Sequence, residues 1–469
     1  MGPDFVRPEP PREDHYTREA LPAATVAADG TAQQFTSDTE LGADWWRLFK
    51  SAELDAIVGQ AIANNQTLKA SEATLRQSQD SLRAGYGVFF PKIDADASAT
   101  RQRTAPLQQG LKTSSTIFNL VTLSGTIGYP LDIFGGERRA VEGLRAQAYE
   151  QYYATKAAYL TLTANVVDAS IARAAYAAEI RATEQLIDLE AQQLQLAQAQ
   201  VSSGTISFST ELAVRSLLAA NKAILAPLRQ KLDQADDLLA ALRGVAPSRA
   251  APADIDLSGL TLPLVLPVNL PSDLVRQRPD ILSAEEYLHA ASANIGVATA
   301  AMFPSISLNA AYGASGTSFG TLPAASGRFW SIGPSATVPI FQGGGLWYSR
   351  KAAIDAFQAA QADYRQTVLA AFAQVADSLT ALDHDAEALQ AQVEAKRAAA
   401  DNLSLLQANY RAGLVAFSDV LTADVQLHET TIGYLQAVAR RHQDTVALFV
   451  SLGGGWWNGR RPPTESTAQ

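Results

Sequence analysis

Cysteine is absent from all 469 residues of this sequence. Disulfide bonds, thiolate nucleophiles and cysteine-ligated metals are therefore excluded from the chain as given. Basic charge is also scarce, since 37 Lys and Arg residues stand against 47 Asp and Glu residues, for a formal net charge of −10. Because no basic stripe is present to neutralise phosphates, nucleic acid is not expected as a partner.

Long apolar runs are missing too. No run approaches the roughly 18 residues that a transmembrane helix needs. No signal peptide precedes the Pro-rich start at Gly2–Arg12. This start favours either a cytoplasmic protein or a mature or trimmed chain.

Catalytic and metal-binding motifs are lacking as well. The five histidines have no ligand spacing such as HExxH: they are His15, His289, His384, His428 and His442. The glycine triplets at 343–345 and 453–455 have neither the setting of a dinucleotide fingerprint nor a P-loop lysine. No arrangement of Ser, His and Asp typical of a catalytic triad is recognisable in the sequence, and neither is a catalytic pair of acids. We therefore expect no enzyme, no metal site and no cofactor.

The sequence contains a long internal repeat. Ser203–Leu212 read SGTISFSTEL and Ala412–Leu421 read AGLVAFSDVL, aligned at an offset of 413 − 204 = 209. Upstream, Phe-Pro at 90–91 recurs at 303–304, and Ile-Phe-x-Gly at 133–136 recurs at 340–343. The offset is too long for a solenoid repeat, so it indicates a duplicated domain.

Two stretches without Gly or Pro, Leu144–Ser203 and Leu346–Ala412, predict very long helices, because their apolar residues recur at helical spacing. At 1.5 Å per residue they would measure roughly 90 and 100 Å. Helices of this length must line a bundle, a coiled coil or a barrel of helices. Each ends at a glycine, Gly204 or Gly413, and a second helical stretch follows. The pattern predicts two antiparallel helical hairpins with their tips at these glycines.

Between the repeated anchors the apolar period changes to strict alternation, which predicts four strands. They cover residues 92–100, 117–131, 305–312 and 330–338. The simpler interpretation is a half-buried sheet in a soluble domain, but the length, alternation and terminal aromatics match transmembrane β-strands. Only closed barrels of about eight or more strands tolerate lipid. Four strands per chain therefore predict an oligomer, with eight strands in a dimer and twelve in a trimer.

Four motifs, in order along this duplicated plan, resemble those of a known family. They are GPDFVRP at Gly2–Pro8, DWWRLF at Asp44–Phe49, YRAG with DVL at Tyr410–Leu421, and LGGGW at Leu452–Trp456. Over essentially its whole length the chain resembles outer-membrane efflux channels of the TolC superfamily, in the NodT-type lipoprotein branch. This branch serves resistance–nodulation–division (RND) efflux pumps.

The resemblance implies a mainly α chain with a membrane β-barrel. Three copies would form a 12-stranded β-barrel in the outer membrane of a Gram-negative bacterium, continuous with a 12-helix periplasmic α-barrel. A membrane-fusion adaptor, bound to an inner-membrane RND pump, would open the helical tips. The branch also carries a lipidated cysteine, bearing palmitate, at or just before Gly-Pro-Asp. We therefore expect that a signal peptide and this cysteine were removed here and that a start Met was supplied.

The predicted domain plan has five parts. They are an N-terminal equatorial segment at 1–66, repeat 1 at 67–245, a Pro-rich equatorial linker at 246–277, repeat 2 at 278–455 and a C-terminal tail at 456–469. Repeat 1 contains a β-hairpin at 92–132 and a helical tip at 204. Repeat 2 contains a β-hairpin at 305–340 and a helical tip at 413.

The resemblance also indicates a gate. Asp419 follows the tip glycine by six residues, where the family has a pore-facing aspartate, and three copies would form a carboxylate ring attractive to cations. The alternative is an acidic residue that complements a helix N-terminus. Some members have a second aspartate three residues later, where this chain has Thr422, and the first copy has Thr210 in place of Asp419. Asp424 is a weaker candidate because it falls on a different helical face.

Tyr410 and Arg411 either hold a closed tip against a neighbouring hairpin or form a solvated last helical turn. The segments that adaptors grip in this family correspond to Ser203, Gly204, Thr205, Ala412, Gly413 and Leu414. A tight turn explains the two glycines without any partner.

The predicted function is a passive exit duct for drugs or other small toxic compounds. An alternative with the same fold is a duct for type I protein secretion. An alternative from another class is a coiled-coil structural protein, which would explain the long helices but not the four strands.

Overall fold

The computed structural model describes residues 1–10, 15–18, 22–37, 39–104, 114–268 and 271–458. The connection within the first predicted β-hairpin, at 105–113, lies outside the described residues. So does the predicted C-terminal tail beyond residue 458.

Most of the described chain is helical, which confirms the predicted mainly α fold. The helices are α1 Ala52–Asn64, α2 Gln66–Gly85, α3 Gly136–Ser202, α4 Phe208–Leu242, α5 Pro271–Gln277, α6 Pro279–Ala300, α7 Gly345–Arg411 and α8 Phe417–Ser451. The strands are β1 Gln34–Thr36, β2 Lys92–Arg103, β3 Ile117–Leu131, β4 Val265–Pro267, β5 Ser305–Gly316 and β6 Arg328–Thr337.

The duplication is visible in the helices. α3 and α7 both have 67 residues, and α4 and α8 both have 35. Their starts keep the offset of the sequence repeat, since 345 − 136 = 209 and 417 − 208 = 209. α4 continues through Pro227 and α8 through Gly433. Among the described residues, no helix combines the length and the apolar content needed to cross a bilayer.

The four longer strands form one antiparallel sheet in the order β2-β3-β5-β6. β3 of the first repeat pairs with β5 of the second, with Gly125 opposite Tyr312, so the two hairpins share a single sheet. Within the described residues, β2 and β6 each have one partner strand. Each therefore keeps an edge of backbone N–H and C=O groups without a strand partner.

The chain divides into two compact units, and both repeats contribute to each. The first consists of Met1–Pro8, Thr74–Tyr152 and Ser283–Arg365, and it holds the four-stranded sheet. The second consists of Glu9–Ala73, Tyr153–Leu282 and Gln366–Gln469, and it holds both helical tips.

In the first unit, the start of the chain packs beside the strand-to-helix junction of repeat 1. The amino group of Met1 donates to the carbonyl oxygen of Phe134 at 3.0 Å. The rings of Phe5 and His289 stack with their centroids 4.3 Å apart. Two ion pairs add to these contacts, Asp4 with Arg139 and Arg7 with Glu285.

In the second unit, the last turns of α8 pack against the N-terminal segment. The side chain of Arg441 is 1 % exposed. Its guanidinium donates to neutral acceptors of that segment: Gln33 Oε1 at 3.0 Å, Thr31 O at 3.1 Å and Ala28 O at 3.3 Å. A buried cation thus ties the N-terminal segment to α8 through hydrogen bonds.

Arg441→Ala is expected to lower the free energy of unfolding by roughly 2–4 kcal/mol, because it leaves several buried acceptors without a donor. Chemical denaturation of the purified protein measures this change. Arg229→Ala is the control, since Arg229 makes an exposed ion pair with Glu184, which is worth about 1 kcal/mol or less. Equal losses in the two variants would contradict the role given to Arg441.

Candidate gate and docking tips

The two helical hairpins turn at their tips with the same backbone. In the first, the Gly204 N–H donates to the Val201 carbonyl at 3.0 Å and the Thr205 N–H donates to the Gln200 carbonyl at 2.9 Å. This is the Schellman pattern, which satisfies carbonyls at a helix end. The second tip repeats both bonds at Gly413. Both glycines have φ of +74°, in the left-handed region that favours glycine.

The surfaces of the two tips differ although their backbones agree. All six candidate docking residues are exposed. In the first tip the hydroxyls of Ser203 and Thr205 lie 2.8 Å apart, and both also bond to the Gln200 carbonyl. In the second tip these positions are Ala412 and Leu414, and the side chain of Leu414 is 73 % exposed. One tip is thus polar and the other is apolar.

Asp419 lies on the first turn of α8 and its side chain is exposed. Its Oδ2 accepts the Ala416 N–H at 3.1 Å, so it satisfies a donor at the helix start. The carboxylate therefore has the helix-capping role that sequence analysis gave as the alternative, and it remains accessible to solvent. Thr422 is also exposed, and its hydroxyl donates to the Ser418 carbonyl of its own helix at 3.0 Å.

The first repeat fills the position of Asp419 with a neutral group. The hydroxyl of Thr210 lies 3.1 Å from that of Ser207, the residue that precedes α4. The Thr210 N–H donates to the Ser207 carbonyl at 3.0 Å. This start of a helix is organised by hydroxyls and carries no carboxylate at this position.

Tyr410 packs within its own hairpin. Its ring lies 5.2 Å from the ring of Phe417, centroid to centroid, across the turn. It also packs against an apolar cluster that contains Leu403 and Val420. Arg411 is exposed at the end of α7. Tyr410 therefore stabilises the tip from inside, whereas Arg411 is available to a partner.

Asp424 does not lie with Asp419 at the surface. It is only 6 % exposed, its Oδ2 has no hydrogen-bond partner, and burial raises its pKa. The nearby carboxyl of Glu190 on α3 is fully buried. Burial and the charge of Asp424 raise the pKa of Glu190 to about 7, against a hydrogen bond from Asn221 that lowers it. Glu190 is not among the residues predicted from the sequence, although the regular spacing of acids on α3 is a signal for it.

Within the described ranges, no three side chains of His, Asp or Glu come together in a way that could hold a metal ion. The tips offer exposed carboxylate, guanidinium, hydroxyl and apolar groups. This chemistry suits electrostatic selection and protein docking.

The family model described as "Outer membrane efflux protein" matches residues 57–245 and 270–454. The toluene efflux pump outer membrane protein TtgC of Pseudomonas putida is 30% identical, over 97% of this chain and 92% of that protein. The probable outer membrane lipoprotein SilC of Salmonella typhimurium is 25% identical, over 97% of this chain and 95% of its own length. The solved structure of the outer-membrane channel OprN superposes with a TM-score of 0.86 at 26% identity, over 97% of this chain and 99% of that one.

Gly413→Ala is expected to destabilise the protein by about 1 kcal/mol, because an L side chain is strained at this φ. No atom lies within 4 Å of an added Cβ, so the cost is conformational alone. In Gly59→Ala, inside α1, the added Cβ also meets open space. This control should stabilise by roughly 0.5–1 kcal/mol through helix propensity. Changes of the same sign in chemical denaturation would refute the assigned turn.

Proposed function

The chain belongs to the outer membrane efflux protein family and is an outer-membrane channel protein of an efflux pump. On this basis we propose that three copies assemble into one export duct. The strands form a 12-stranded β-barrel in the outer membrane, and the helical hairpins form a 12-helix α-barrel in the periplasm. The family consists of channels, which are transporters rather than enzymes. As a duct, this chain catalyses no reaction and needs no cofactor.

The observation that carries the proposal is the open four-stranded sheet. β2 and β6 are its outer strands, and they are 12 and 10 residues long, enough to cross a membrane when tilted. Large apolar side chains on them are exposed in the single chain, with Ile93 at 73 %, Trp330 at 73 % and Ile332 at 67 %. In a membrane, lipid covers the apolar faces, whereas the unpaired backbone edges are satisfied when β6 of one copy pairs with β2 of the next.

Exposed apolar residues on the helices support the same assembly. Leu189 and Leu196 lie one heptad apart on α3, and Leu212 lies on the first turns of α4. All three side chains are about half exposed in the single chain, at 51 %, 56 % and 45 %. In the α-barrel, such residues pack against the neighbouring hairpins. A soluble coiled-coil protein, in contrast, leaves the β-sheet unexplained.

The gate is proposed at the second tip. Three copies of Asp419 form a ring of carboxylates at the narrow end of the duct, and Thr210 leaves the first tip neutral at the corresponding position. Exposure of the Asp419 carboxylate supports this assignment. Arg411 borders the ring, Thr422 lies one turn further along α8, and Tyr410 supports the gate by packing inside the hairpin. Asp424 acts from inside the helix packing, not as a lining residue.

The exposed tips are the proposed docking site for a periplasmic adaptor, which couples the duct to an inner-membrane RND pump. Leu414 supplies an apolar contact and Ser203 with Thr205 supplies hydroxyls. The proposed exported compounds are small and toxic. Two relatives support this class: TtgC is named for toluene efflux, and CusC of Escherichia coli, which is 24% identical to this chain, is named for cation efflux. SilC, a probable lipoprotein, supports a lipidated cysteine ahead of Gly2 in the native protein. These efflux relatives favour pump-driven export over type I protein secretion.

A cross-linking experiment tests the assembly. In Ser98→Cys/Ser331→Cys, with one cysteine on each outer strand, a flexible bis-maleimide should link chains and give bands of up to three chain masses. The control is Leu123→Cys/Ala314→Cys, whose residues are paired opposite each other on the inner strands of one chain. It should stay at one chain mass. The sequence contains no cysteine that could interfere. A protein that remains soluble and monomeric without detergent would overturn the proposal.

Planar-bilayer conductance tests the gate. Asp419→Asn removes one charge per chain while keeping an oxygen that can accept the Ala416 N–H. The ratio of cation to anion permeability, taken from reversal potentials in a salt gradient, should fall several-fold, because a carboxylate ring favours cations. Asp401→Asn is the control, since Asp401 is an exposed acid on α7 about three turns before the tip. Unchanged selectivity in Asp419→Asn would remove Asp419 from the constriction.

A further inference from the structure

Three acidic residues recur on α3 at a spacing of 11: Asp168, Glu179 and Glu190. Eleven residues make three turns of a helix with a small remainder, so the three side chains share one face. Glu179 and Glu190 are 3 % and 0 % exposed. Asp168 is half-buried. Acidic residues are mostly exposed in folded proteins, so two buried acids on one helix face are exceptional.

α8 packs antiparallel against this face of α3. The Gln436 side chain donates from Nε2 to Glu179 Oε2 at 3.3 Å. Toward the tip, Asp424 lies opposite Glu190, and toward the other end Asp444 lies near Asp168. Along α8 these positions fall from 444 through 436 to 424 as those on α3 rise from 168 to 190. The five acids Asp168, Glu179, Glu190, Asp424 and Asp444 are called the acid seam below.

On the tip side of the acid seam, apolar side chains pack α3, α4 and α8 together. Ala197 of α3, Val214 of α4 and Leu421 of α8 form a buried cluster. Glu190 lies two turns before Ala197 on α3, and Asp424 lies one turn after Leu421 on α8. The same helical faces that make the apolar cluster therefore carry the two carboxyls into the interior.

The carboxyls of the seam have too few hydrogen bonds to stabilise their ionised forms. Asn221 of α4 donates to Glu190 Oε1 at 2.6 Å. The other oxygen, Glu190 Oε2, has no hydrogen-bond partner, and neither has Asp424 Oδ2. Asp168 Oδ1 and Asp444 Oδ2 are in the same condition. A buried ionised carboxylate in this situation costs several kcal/mol.

The neighbouring charges do not neutralise the seam. From α4, Lys231 acts on Glu179. Near Asp444, Arg440 of α8 is opposed by Asp385 of α7. For Glu190 the facing titratable group is Asp424, another acid. Lys231 and Arg440 therefore offset only part of the seam.

We propose that the acid seam is a proton-dependent clasp, in which protonated carboxyls let α8 pack on α3 and their ionisation loosens α8 near its tip. When ionised, the facing carboxylates of Glu190 and Asp424 repel each other, and both are buried. Separation of the helices, which admits water, removes both penalties. Because α8 begins at the tip, the clasp makes the packing of the second hairpin depend on pH.

The direction and range of the effect follow from burial. Burial is the main cause that raises the pKa of Asp168 and Glu190 to about 7 and the pKa of Asp444 to about 8. In the unfolded chain these groups titrate near 4. Between about pH 4 and pH 7 to 8 the folded state therefore binds more protons than the unfolded chain. The contribution of these acids to folded-state stability is complete below about pH 4 and is lost as the pH rises through 7 to 8.

Hydrogen exchange in the purified, detergent-solubilised full chain tests the clasp. At pH 8, Glu190→Gln should protect residues 417–430 roughly tenfold to a hundredfold more than the wild type, after correction for intrinsic rates, because a neutral amide replaces the ionised acid. At pH 5 the two proteins should agree within a few-fold. Asp424→Asn should act in the same way, and it provides a second test if Glu190→Gln fails to fold.

The matched control is Asp188→Asn, which removes an exposed acid two residues from Glu190 on the same helix. It should exchange like the wild type at both pH values. Equal protection of the wild type and Glu190→Gln at pH 8 would overturn the clasp, as would an equal gain in Asp188→Asn. The readout needs no conductance, so a failure here is distinct from a failure of the proposed gate.

Discussion

An antiparallel sheet that stops at β2 on one side and β6 on the other leaves a row of backbone N–H and C=O groups without strand partners. In water they bind solvent, whereas in hydrocarbon each costs several kcal/mol. Four strands are too few to close on themselves as a barrel. The proposed pairing of β6 of one copy with β2 of the next answers this constraint, because it gives both outer strands a partner.

The helical parts solve a different problem, because long helices must bury one face along their whole length. Apolar residues such as Val214 and Leu421 do this near the tip. Two kinds of charged residue enter the same interior with opposite outcomes. Arg441 is surrounded by acceptors of the N-terminal segment and ties it down. Glu190 lies opposite another acid, Asp424, so in our proposal the packing of α8 on α3 at this point requires protonated carboxyls.

Much of the tip could be predicted because its signals are local. A glycine after a long helix predicts a left-handed residue, and Gly204 and Gly413 both adopt that conformation. The position of Asp419 on the first turn follows in the same way. The interior partners could not be predicted. Glu190, Asn221 and Asp424 belong to three helices, and nothing in their spacing along the chain reveals that they meet.

By itself, the sequence determined the duplication, the long helices, the alternating strands and the tip glycines, since each depends on neighbours a few residues apart. Only the tertiary structure decided that β3 pairs with β5, so that two hairpins make one sheet. It also decided that Asp419 is exposed while Asp424 is buried among acids. Burial and electrostatic environment depend on residues hundreds of positions away, and packing alone brings those residues together.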